Sequence, residues 1–440
     1  MALLSSSASS AHFANLVEKD SHAEFDVEGI DLCIVNSVRR VIMSDVQTAA
    51  FNYDPTHPAA AGSGIAILRN TSSLNNEFVG QRVSLVPLGF DPNQLRMFEP
   101  SRFKCVLKVK NAGNTVRDVT TGDFEVFDQG GALHPKAVRD AIFPANPLTG
   151  DHILLLRLKP STQCDGNGEE IHVECHASVG TGRMHARWSP VSSCFFRFKK
   201  DPGLVKAALD ARISALDEKR LADGKPPLDV VERERERVQH DALDAHRCFL
   251  RSDATGEPVA FEFIIDCETR HRPSILVFEA LRVLHDKVMA FREALVGSMD
   301  EGVGGEDGAQ YDDTHRKVVI KPFANTDDFY HVLVRKEDHS LGNLVQGMLY
   351  GKWVRDGGSK EVSYIGYYMP HPLETNIVIK IKCAIPGDDV VARLSEGATW
   401  LAGELNALMV EWVMFAGLDK AGIVTIDEMM MRMGKRAVKK

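Results

Sequence analysis

Two stretches of this chain, 307 positions apart, carry the same pattern of apolar residues behind an aspartate. DLCIVNSVRRVIM begins at Asp31, DHSLGNLVQGMLY begins at Asp338, and Asn36 falls on Asn343. Each aspartate is suited to cap a helix, because its carboxylate accepts hydrogen bonds from the free N–H groups of the first turn. The repeat predicts two related units, each with a strand, a capped helix, further strands and a long closing helix.

Each predicted unit ends in a long helix with one apolar seam. Apolar residues recur there in steps of three and four, which places them along one face of a helix. The seam residues are Val277, Leu281, Leu284, Val288, Phe291 and Leu295 in the first helix, and Val391, Leu394, Ala398, Leu401, Leu405, Leu408, Trp412 and Phe415 in the second. Two related units that each expose such a seam would bury it by pairing, which predicts an intramolecular pseudo-dimer of α+β class.

Composition shifts divide the chain further. GSMDEGVGGEDGAQYDDTH has almost no apolar content and is typical of a linker. β-like segments interrupt the first unit, and a charged, helix-prone insertion follows them. The predicted segments are a disordered tail over 1–22, a first unit over 23–88 and 179–296 with the charged insertion at about 201–247, an inserted β-rich domain over 89–178, a linker over 297–315, a second unit over 316–425 and a basic tail over 426–440.

Charge and hydropathy exclude some functions. The chain has 52 basic and 61 acidic residues, a net charge of −9, whereas a protein that grips phosphates over a broad surface is usually basic. The longest apolar runs, such as FEFII, are far shorter than a membrane span. The start of the chain has no signal-peptide pattern, and its eight cysteines include no CxxC pair. We therefore expect an intracellular protein without membrane contact.

Two adjacent arginines stand out in the first capped helix. Arg39 and Arg40 lie at or beside an apolar face that includes Val38, Val41 and Ile42. One interpretation is a solvated helix edge or an internal salt bridge. The other is a docking surface for an acidic partner, since a guanidinium group binds carboxylates in a bidentate manner.

Most catalytic signatures are missing from the sequence, including a P-loop, HExxH and GxSxG. One constellation could hold a metal: IHVECHAS alternates, so His172, Glu174 and His176 would project from one face of a strand, with His185 not far along the chain. Polar residues on the solvent face of a strand give the same alternation. A zinc site is thus a weak alternative to no cofactor.

Several long motifs resemble the alpha-type subunits of multisubunit RNA polymerases. FDVEGIDLCIVNSVRRVIMSDVQTAAF, NTSSLNNEFVGQRVSLVPL, HARWSP and FEFIID are similar to the third-largest subunit of eukaryotic polymerase II and to its archaeal D-type counterpart. EDHSLGNLVQGMLY and VSYIGYYMPHPLETNIVIKIKC are similar to the smaller partner, the eleventh subunit or its archaeal L-type counterpart. Those partners are normally separate chains, so the resemblance implies a fusion, as in some large nucleocytoplasmic DNA viruses.

The resemblance implies a non-catalytic assembly platform of a DNA-directed RNA polymerase that nucleates the two large catalytic subunits. Small archaeal N/P-like subunits, or eukaryotic tenth/twelfth-like ones, are further implied partners, and nucleic acid is contacted only through the complex. The implied compartment is the host cytoplasm or virion for a viral protein, and the nucleus for a cellular one. The cysteine-rich zinc loop and the iron–sulfur pattern of some relatives are absent from the sequence.

Two sets of functional residues are expected. The partner-binding set is Asn36, Arg39, Arg40, Glu77, Arg82, His185 and Trp188. The set for dimerisation within the chain is Leu281, Leu284, Val288, Phe291, His339, Leu341, Asn343, Leu401, Leu405, Leu408 and Trp412. Two alternatives remain open: a metal-dependent hydrolase that uses the His/Glu cluster, and a homodimeric adaptor outside any polymerase.

Overall fold

The computed structural model describes residues 4–5, 11–54, 64–90, 103–161, 167–252, 255–267, 272–296, 316–323, 329–385 and 387–420. Along the chain its strands and helices are β1 (Leu4–Ser5), β2 (Phe13–Lys19), β3 (His22–Glu28), α1 (Leu32–Ser44), β4 (Gln47–Phe51), β5 (Ile65–Asn70), α2 (Asn76–Ser84), β6 (Lys104–Lys110), β7 (Arg117–Thr120), β8 (Phe124–Phe127), α3 (Lys136–Ile142), β9 (Leu154–Leu158), β10 (Glu170–Thr181), β11 (Val191–Phe198), α4 (Pro202–Ala222), α5 (Val230–Leu243), β12 (Ala260–Cys267), α6 (Pro273–Ala294), β13 (Val318–Pro322), β14 (Phe329–Arg335), α7 (His339–Leu349), β15 (Val362–Tyr368), β16 (Asn376–Cys383) and α8 (Val390–Phe415). The predicted α+β class is confirmed.

The first unit is an antiparallel sheet in the order β1-β2-β3-β12-β11, with α1 and α6 packed on it. This sheet corrects the expected disordered tail over 1–22, because Phe13–Lys19 forms a strand within it. Phe13 and Leu16 are buried, and the Phe13 ring lies edge-on to Trp412 of α8 at 5.0 Å between centroids. Burial of these apolar side chains stabilises a segment that composition alone assigned to solvent.

The second unit repeats this plan with the sheet order β13-β14-β16-β15 and the helices α7 and α8. A π-helical turn, Tyr350–Val354, extends α7. Both predicted caps are present: the Oδ1 of Asp31 accepts from the N–H of Cys33 at 2.8 Å, and the Oδ1 of Asp338 accepts from the N–H of Ser340 at 2.9 Å.

The two units pair through their long helices, as the apolar seams predict. One continuous hydrophobic core contains α1 and α6 of the first unit and α7 and α8 of the second. Within this core the indole N–H of Trp412 donates to the carbonyl oxygen of Ser274 at 2.8 Å, which satisfies a polar group on each side of the junction. The chain therefore forms an intramolecular pseudo-dimer.

A third sheet builds a separate core. Its order is β4-β10-β6-β8, and β5 also pairs with β10. A separate two-stranded sheet, β7-β9, contributes side chains to the same core. The expected boundaries of this inserted domain, 89–178, are too narrow, because β4, β5 and α2 contribute buried side chains to the same core. Phe51, Val79 and Val83 are among them, so β4, β5 and α2 pack with the inserted domain.

The charged insertion forms a helical hairpin of α4 and α5. No residue of α4 is buried, and His240 is the buried residue of α5. Ion pairs join the two helices: Arg212 to Glu236 at 2.9 Å, and Arg233 to Asp217 at 2.7 Å. The predicted linker over 297–315 and the basic tail over 426–440 lie outside the described residues.

Candidate partner-binding surface and the interface between the units

The helix α1 has a buried face and a solvent face. Its solvent face carries Asn36, Arg39 and Met43, and Met43 is 42% exposed. The Nε of Arg39 donates to the Oδ1 of Asn36 at 3.1 Å, and its Nη1 lies 3.5 Å from the sulfur of Met43. Within the described part of the chain, Arg39 has no carboxylate at ion-pair distance. The guanidinium is therefore held in place by its own helix and available to an acidic group from outside.

Arg40 lies in a different environment from its neighbour. Its Nε donates to the hydroxyl of Ser340 at 3.0 Å, and its Nη2 lies 3.5 Å from the carboxylate of Asp338. Both contacts cross to the second unit. The expectation that Arg40 binds an external subunit is thus at odds with its contacts, which are those of the internal salt bridge considered as the alternative.

Further charged groups surround this junction. Lys287 of α6 lies 2.7 Å from Asp45 and 3.2 Å from Glu337, and Lys317 lies 3.0 Å from the other oxygen of Glu337. Arg183 joins Asp45 at 2.7 Å to Asp338 at 2.8 Å. These contacts connect α1 and α6 of the first unit with the start of α7. We call these groups, with Arg40, the junction network.

Opposite charges shift the pKa values of Asp45, Asp338 and Lys287 in the junction network. Burial by itself raises the pKa of Asp45, but Lys287 and Arg183 outweigh it and bring the pKa below the ordinary value. Burial likewise opposes ionisation of Asp338, and the N–H of Ser340 and the guanidinium of Arg183 lower its pKa. Burial would lower the pKa of Lys287, whereas Glu337 and Asp45 raise it. All three groups are thus charged at neutral pH.

Three other expected partner-binding residues are exposed but differ in the contacts they make within the chain. Glu77 is exposed in the first turn of α2. His185 is also exposed, and its Nδ1 accepts from the N–H of Arg187 at 3.1 Å. Arg82 is exposed but donates to the backbone oxygens of Leu155 and Leu154 at 2.7 and 2.9 Å, which ties α2 to β9.

Trp188 is buried, which contradicts the expectation that it binds a partner. It is 5% exposed, and its indole N–H donates to the carbonyl oxygen of Ser178 at 3.2 Å. A Cβ on Gly180 would lie 2.5 Å from the Trp188 ring, so the strand β10 needs glycine there to admit the indole. The structure therefore gives Trp188 a packing role.

Most residues expected at the intramolecular interface are buried in the shared core. They are Leu281, Leu284, Val288, Phe291, Leu341, Leu401, Leu405, Leu408 and Trp412. Asn343 is half-buried, and His339 is exposed with its Nδ1 3.2 Å from the hydroxyl of Tyr367. The last contact lies within the second unit, so His339 makes no described contact across the interface.

The strand β10 alternates as predicted, with His172, Glu174 and His176 on its half-buried face and Cys175 fully buried opposite. Glu174 pairs with the ammonium of Lys104 at 2.8 Å, and burial together with Lys104 lowers the pKa of His176. Glu174 is therefore already paired with a cation. Across the described ranges, no group of three or more His, Cys, Asp or Glu side chains is arranged to hold a metal ion.

Sequence reasoning missed most of the junction network. Asp45, Arg183, Lys287 and Glu337 lie far apart in the sequence, and no local motif joins them. A weak signal was available for Lys287, since it interrupts a long apolar helix beside the seam residue Val288.

Comparisons with known proteins agree with the architecture. The family model described as "RNA polymerase Rpb3/Rpb11 dimerisation domain" matches residues 24–288, and a second model with the same description matches residues 330–411. The chain is 27% identical over 320 residues to DNA-directed RNA polymerase subunit Rpo3 of Aeropyrum pernix, a match that covers 66% of this chain and 96% of that protein. It is 24% identical over 311 residues to human DNA-directed RNA polymerases I and III subunit RPAC1, covering 64% of this chain and 84% of the relative.

A third relative has a different kind of name. The chain is 26% identical over 212 residues to a conjugation stage-specific protein of Tetrahymena thermophila, covering 44% of this chain and 60% of that protein.

Among the helices of the described residues, none combines the length and the hydropathy needed to cross a bilayer. With one family model spanning well over half of its length and a second on its C-terminal part, the chain belongs to the Rpb3/Rpb11 family of alpha-like, non-catalytic RNA polymerase subunits.

Proposed function

We propose that this chain is the assembly platform of a multisubunit DNA-directed RNA polymerase, on which the two large catalytic subunits come together. Its paired units form a scaffold with one shared core. Relatives that carry polymerase subunit names match 66% and 64% of this chain. Small N/P-like or tenth/twelfth-like subunits are further proposed partners, and nucleic acid is contacted through the complex.

The solvent face of α1 is the observation that supports this function most. Arg39 is oriented by Asn36 and lies beside the exposed Met43, so a cation and an apolar side chain are presented together. Arg and Met are both enriched in protein–protein interfaces, and Arg binds a partner carboxylate in a bidentate manner. We infer that an acidic segment of a large subunit docks on this face.

A second exposed site supports partner binding at the inserted domain. Phe78 is 58% exposed on α2, next to Glu77. An exposed aromatic side chain beside a charged one is typical of an interface anchor. His185 remains a candidate contact because it is exposed on the connection that returns to β11.

We further propose that two subunits that are normally separate chains are fused here. Joining them turns a bimolecular association into an intramolecular one with a high effective concentration. We propose a large DNA virus as the source of such a fusion, which would place the protein in the host cytoplasm or the virion. If the protein is cellular, the proposed compartment is the nucleus.

Reversal of one charge tests the docking face. Arg39→Glu places a carboxylate where an acidic partner is expected, so we predict a loss of capture of the large subunits of about tenfold or more, because like charges at an interface cost several kcal/mol. The measurement is the amount of each large subunit retained by the tagged chain in reconstitution.

A matched control is available on α5. Arg237 is another exposed arginine, and it bonds to Glu234 and Asp241 of its own helix. Arg237→Glu makes the same change of charge away from the docking face, so it should retain normal capture. Equal capture by the Arg39 and Arg237 variants, at equal thermal stability, would contradict the docking face.

The two alternative functions have less support. A metal-dependent hydrolase would need the His172 cluster, in which Lys104 already neutralises Glu174. A homodimeric adaptor would need a free pairing surface, whereas both long helices bury their seams against each other within the chain.

A further inference from the structure

The first sheet has a second face, which points away from α1, α6 and the shared core. Residues of β3 and β12 alternate between the two faces, because successive side chains of a strand point to opposite sides. The strand pairing places Asp26 beside Glu262, and Glu24 beside Ile264, on this second face. We call it the outer sheet face and define it by Val17, Glu24, Asp26, Glu28, Phe195, Arg197, Lys199, Glu262 and Ile264.

Carboxylates outnumber cations on the outer sheet face. The carboxylates are Glu24, Asp26, Glu28 and Glu262, and the cations are Arg197 and Lys199. The ammonium of Lys199 lies 2.8 Å from the carboxylate of Asp26 and 2.9 Å from that of Glu28. One lysine is thus shared by two carboxylates, which leaves Arg197 for the other two.

Glu24 and Glu262 lie together with too little positive charge beside them. Arg197 approaches Glu262 to 3.9 Å, and its side chain is 65% exposed. Within the described ranges, Glu24 has no ion pair. The carboxyl group of Glu24, which hydrogen-bonds to Glu262, and partial burial together raise the pKa of Glu262. Negative charge on this face is therefore not fully neutralised, and a cation from elsewhere would be favoured there.

Apolar side chains lie between these charges. Val17 is 42% exposed, and Phe195 is half-buried next to Ile264. The guanidinium carbon of Arg197 lies 5.3 Å from the centre of the Phe195 ring. A segment that fits the outer sheet face therefore needs both positive charge and apolar side chains.

A segment of this composition follows the last described residue, Lys420. Residues 429–440, MMMRMGKRAVKK, contain five basic residues, four methionines and no acidic residue. The helix α8 ends beside β2, because the ring of Phe415 stacks on that of Phe13 at 6.0 Å between centroids and Leu418 is buried in the shared core. The 20 residues after Lys420 reach about 66 Å when extended, whereas five strands are about 19 Å across. The segment is thus long enough to reach the outer sheet face.

We propose that residues 429–440 dock on the outer sheet face of their own chain. Their arginines and lysines neutralise its carboxylates, and their methionines cover Val17 and Phe195. Methionine suits a shallow and irregular apolar surface because its side chain is flexible. The covalent tether gives the segment a high effective concentration, so its own chain is favoured over a second copy. While docked, the segment keeps other basic partners from this face.

Carbodiimide cross-linking of the full-length protein tests the contact. The reagent joins a lysine amine to a carboxylate that touches it. We expect links from Lys435, Lys439 or Lys440 to a carboxylate of the outer sheet face, identified by mass spectrometry. In an equal mixture of isotope-labelled and unlabelled protein, each link should join two residues of the same copy. No link to this face, or links between labelled and unlabelled copies, would overturn the proposal.

Trypsin measures how much of the time the segment is docked, since it cuts after accessible lysine and arginine. Glu24→Gln combined with Glu262→Gln removes two charges and keeps the side-chain shape. Fragments of residues 429–440 should then be released about fivefold faster, as expected for two lost ion pairs.

A matched control removes two carboxylates from the second unit. Glu374→Gln with Glu404→Gln changes two exposed side chains away from the outer sheet face and should leave the rate of release unchanged. Equal rates for the two double variants would contradict docking. The cross-links are measured on the unchanged protein, so they decide the question if a variant fails to fold.

Discussion

Arg39 and Arg40 follow one another in the chain, yet their guanidinium groups contact different parts of the molecule. Arg39 bonds to Asn36 of its own helix, and Arg40 bonds to Ser340 of the second unit. Reversing both charges together would therefore bring a carboxylate close to Asp338 and disturb the interface between the units. Single substitutions separate the proposed docking role of Arg39 from the contacts of Arg40 with the second unit.

Trp188 gives a residue-level prediction about packing. Trp188→Ala empties the space beside Gly180 and removes the hydrogen bond to Ser178, so we expect the free energy of unfolding to fall by about 3–5 kcal/mol. Urea unfolding measures the change. Trp188→Phe should lose less, and its folded fraction should capture the large subunits normally. Lost capture by a stable Trp188→Phe protein would restore the indole as a partner contact.

The junction network predicts how stability depends on pH. The pKa values of Asp45 and Asp338 are lowered on folding, so their contribution is complete above the unfolded-state value of about 3.9 and is lost as pH falls through the folded-state pKa. The raised pKa of Lys287 has the opposite effect: its contribution is complete below about pH 10.4 and is lost at higher pH.

Urea unfolding at a series of pH values measures the loss of stability at low pH and at high pH. Asp45→Asn removes one of the two carboxylates whose pKa is lowered on folding. The unfolding free energy of this variant should therefore depend less steeply on pH in the acid range than that of the unchanged protein. Identical acid slopes for the two proteins would show that Asp45 does not contribute in this way.

At the scale of elements, the hairpin of α4 and α5 is separable from the core. The chain enters and leaves it side by side, because Lys200 and Phe249 form a β-bridge and the N–H of Asp201 donates to the carbonyl oxygen of Cys248 at 2.9 Å. Replacing residues 202–247 with a short Gly/Ser turn should change the free energy of unfolding by about 0.5 kcal/mol or less, since α4 buries no side chain and Ala245, which is buried beside His240 of α5, belongs to neither large hydrophobic core. A large loss in urea unfolding would show that the hairpin supports the fold.

The capped helices and apolar seams could be predicted from the sequence because their signals are local. Asp31 and Asp338 cap within two residues, and the seams repeat every three or four residues. The strand β2 gave a weaker signal, because Asn15 has a positive φ of 55° and the pairing with β3 shifts register between Ala14 and Val17. That irregularity breaks the alternation by which strands are found in a sequence.

The domain boundary and the junction network depend on distant partners, which one sequence does not reveal. β4 joins the inserted domain because it pairs with β10, which lies far along the chain. Glu337 is neutralised by Lys287 of the other unit. Motif matching selected Arg39 and Trp188 alike, although one side chain faces solvent and the other is buried.

At the scale of the whole molecule, two related units share one core and one chain. Their pairing buries the seams of α6 and α8, while the solvent face of α1 and the exposed Phe78 of α2 remain available for partners. Under the proposed function, such a scaffold would contribute position rather than chemistry, by holding surfaces at fixed distances so that larger subunits meet in one arrangement.

Purification of the tagged chain from the producing cell under mild salt, followed by identification of the co-purifying chains, tests the assembly role most directly. We predict two large chains in equal amounts with the tagged protein, together with template-dependent RNA synthesis by the purified complex. A chain that purifies alone, or with copies of itself, would contradict the assembly role.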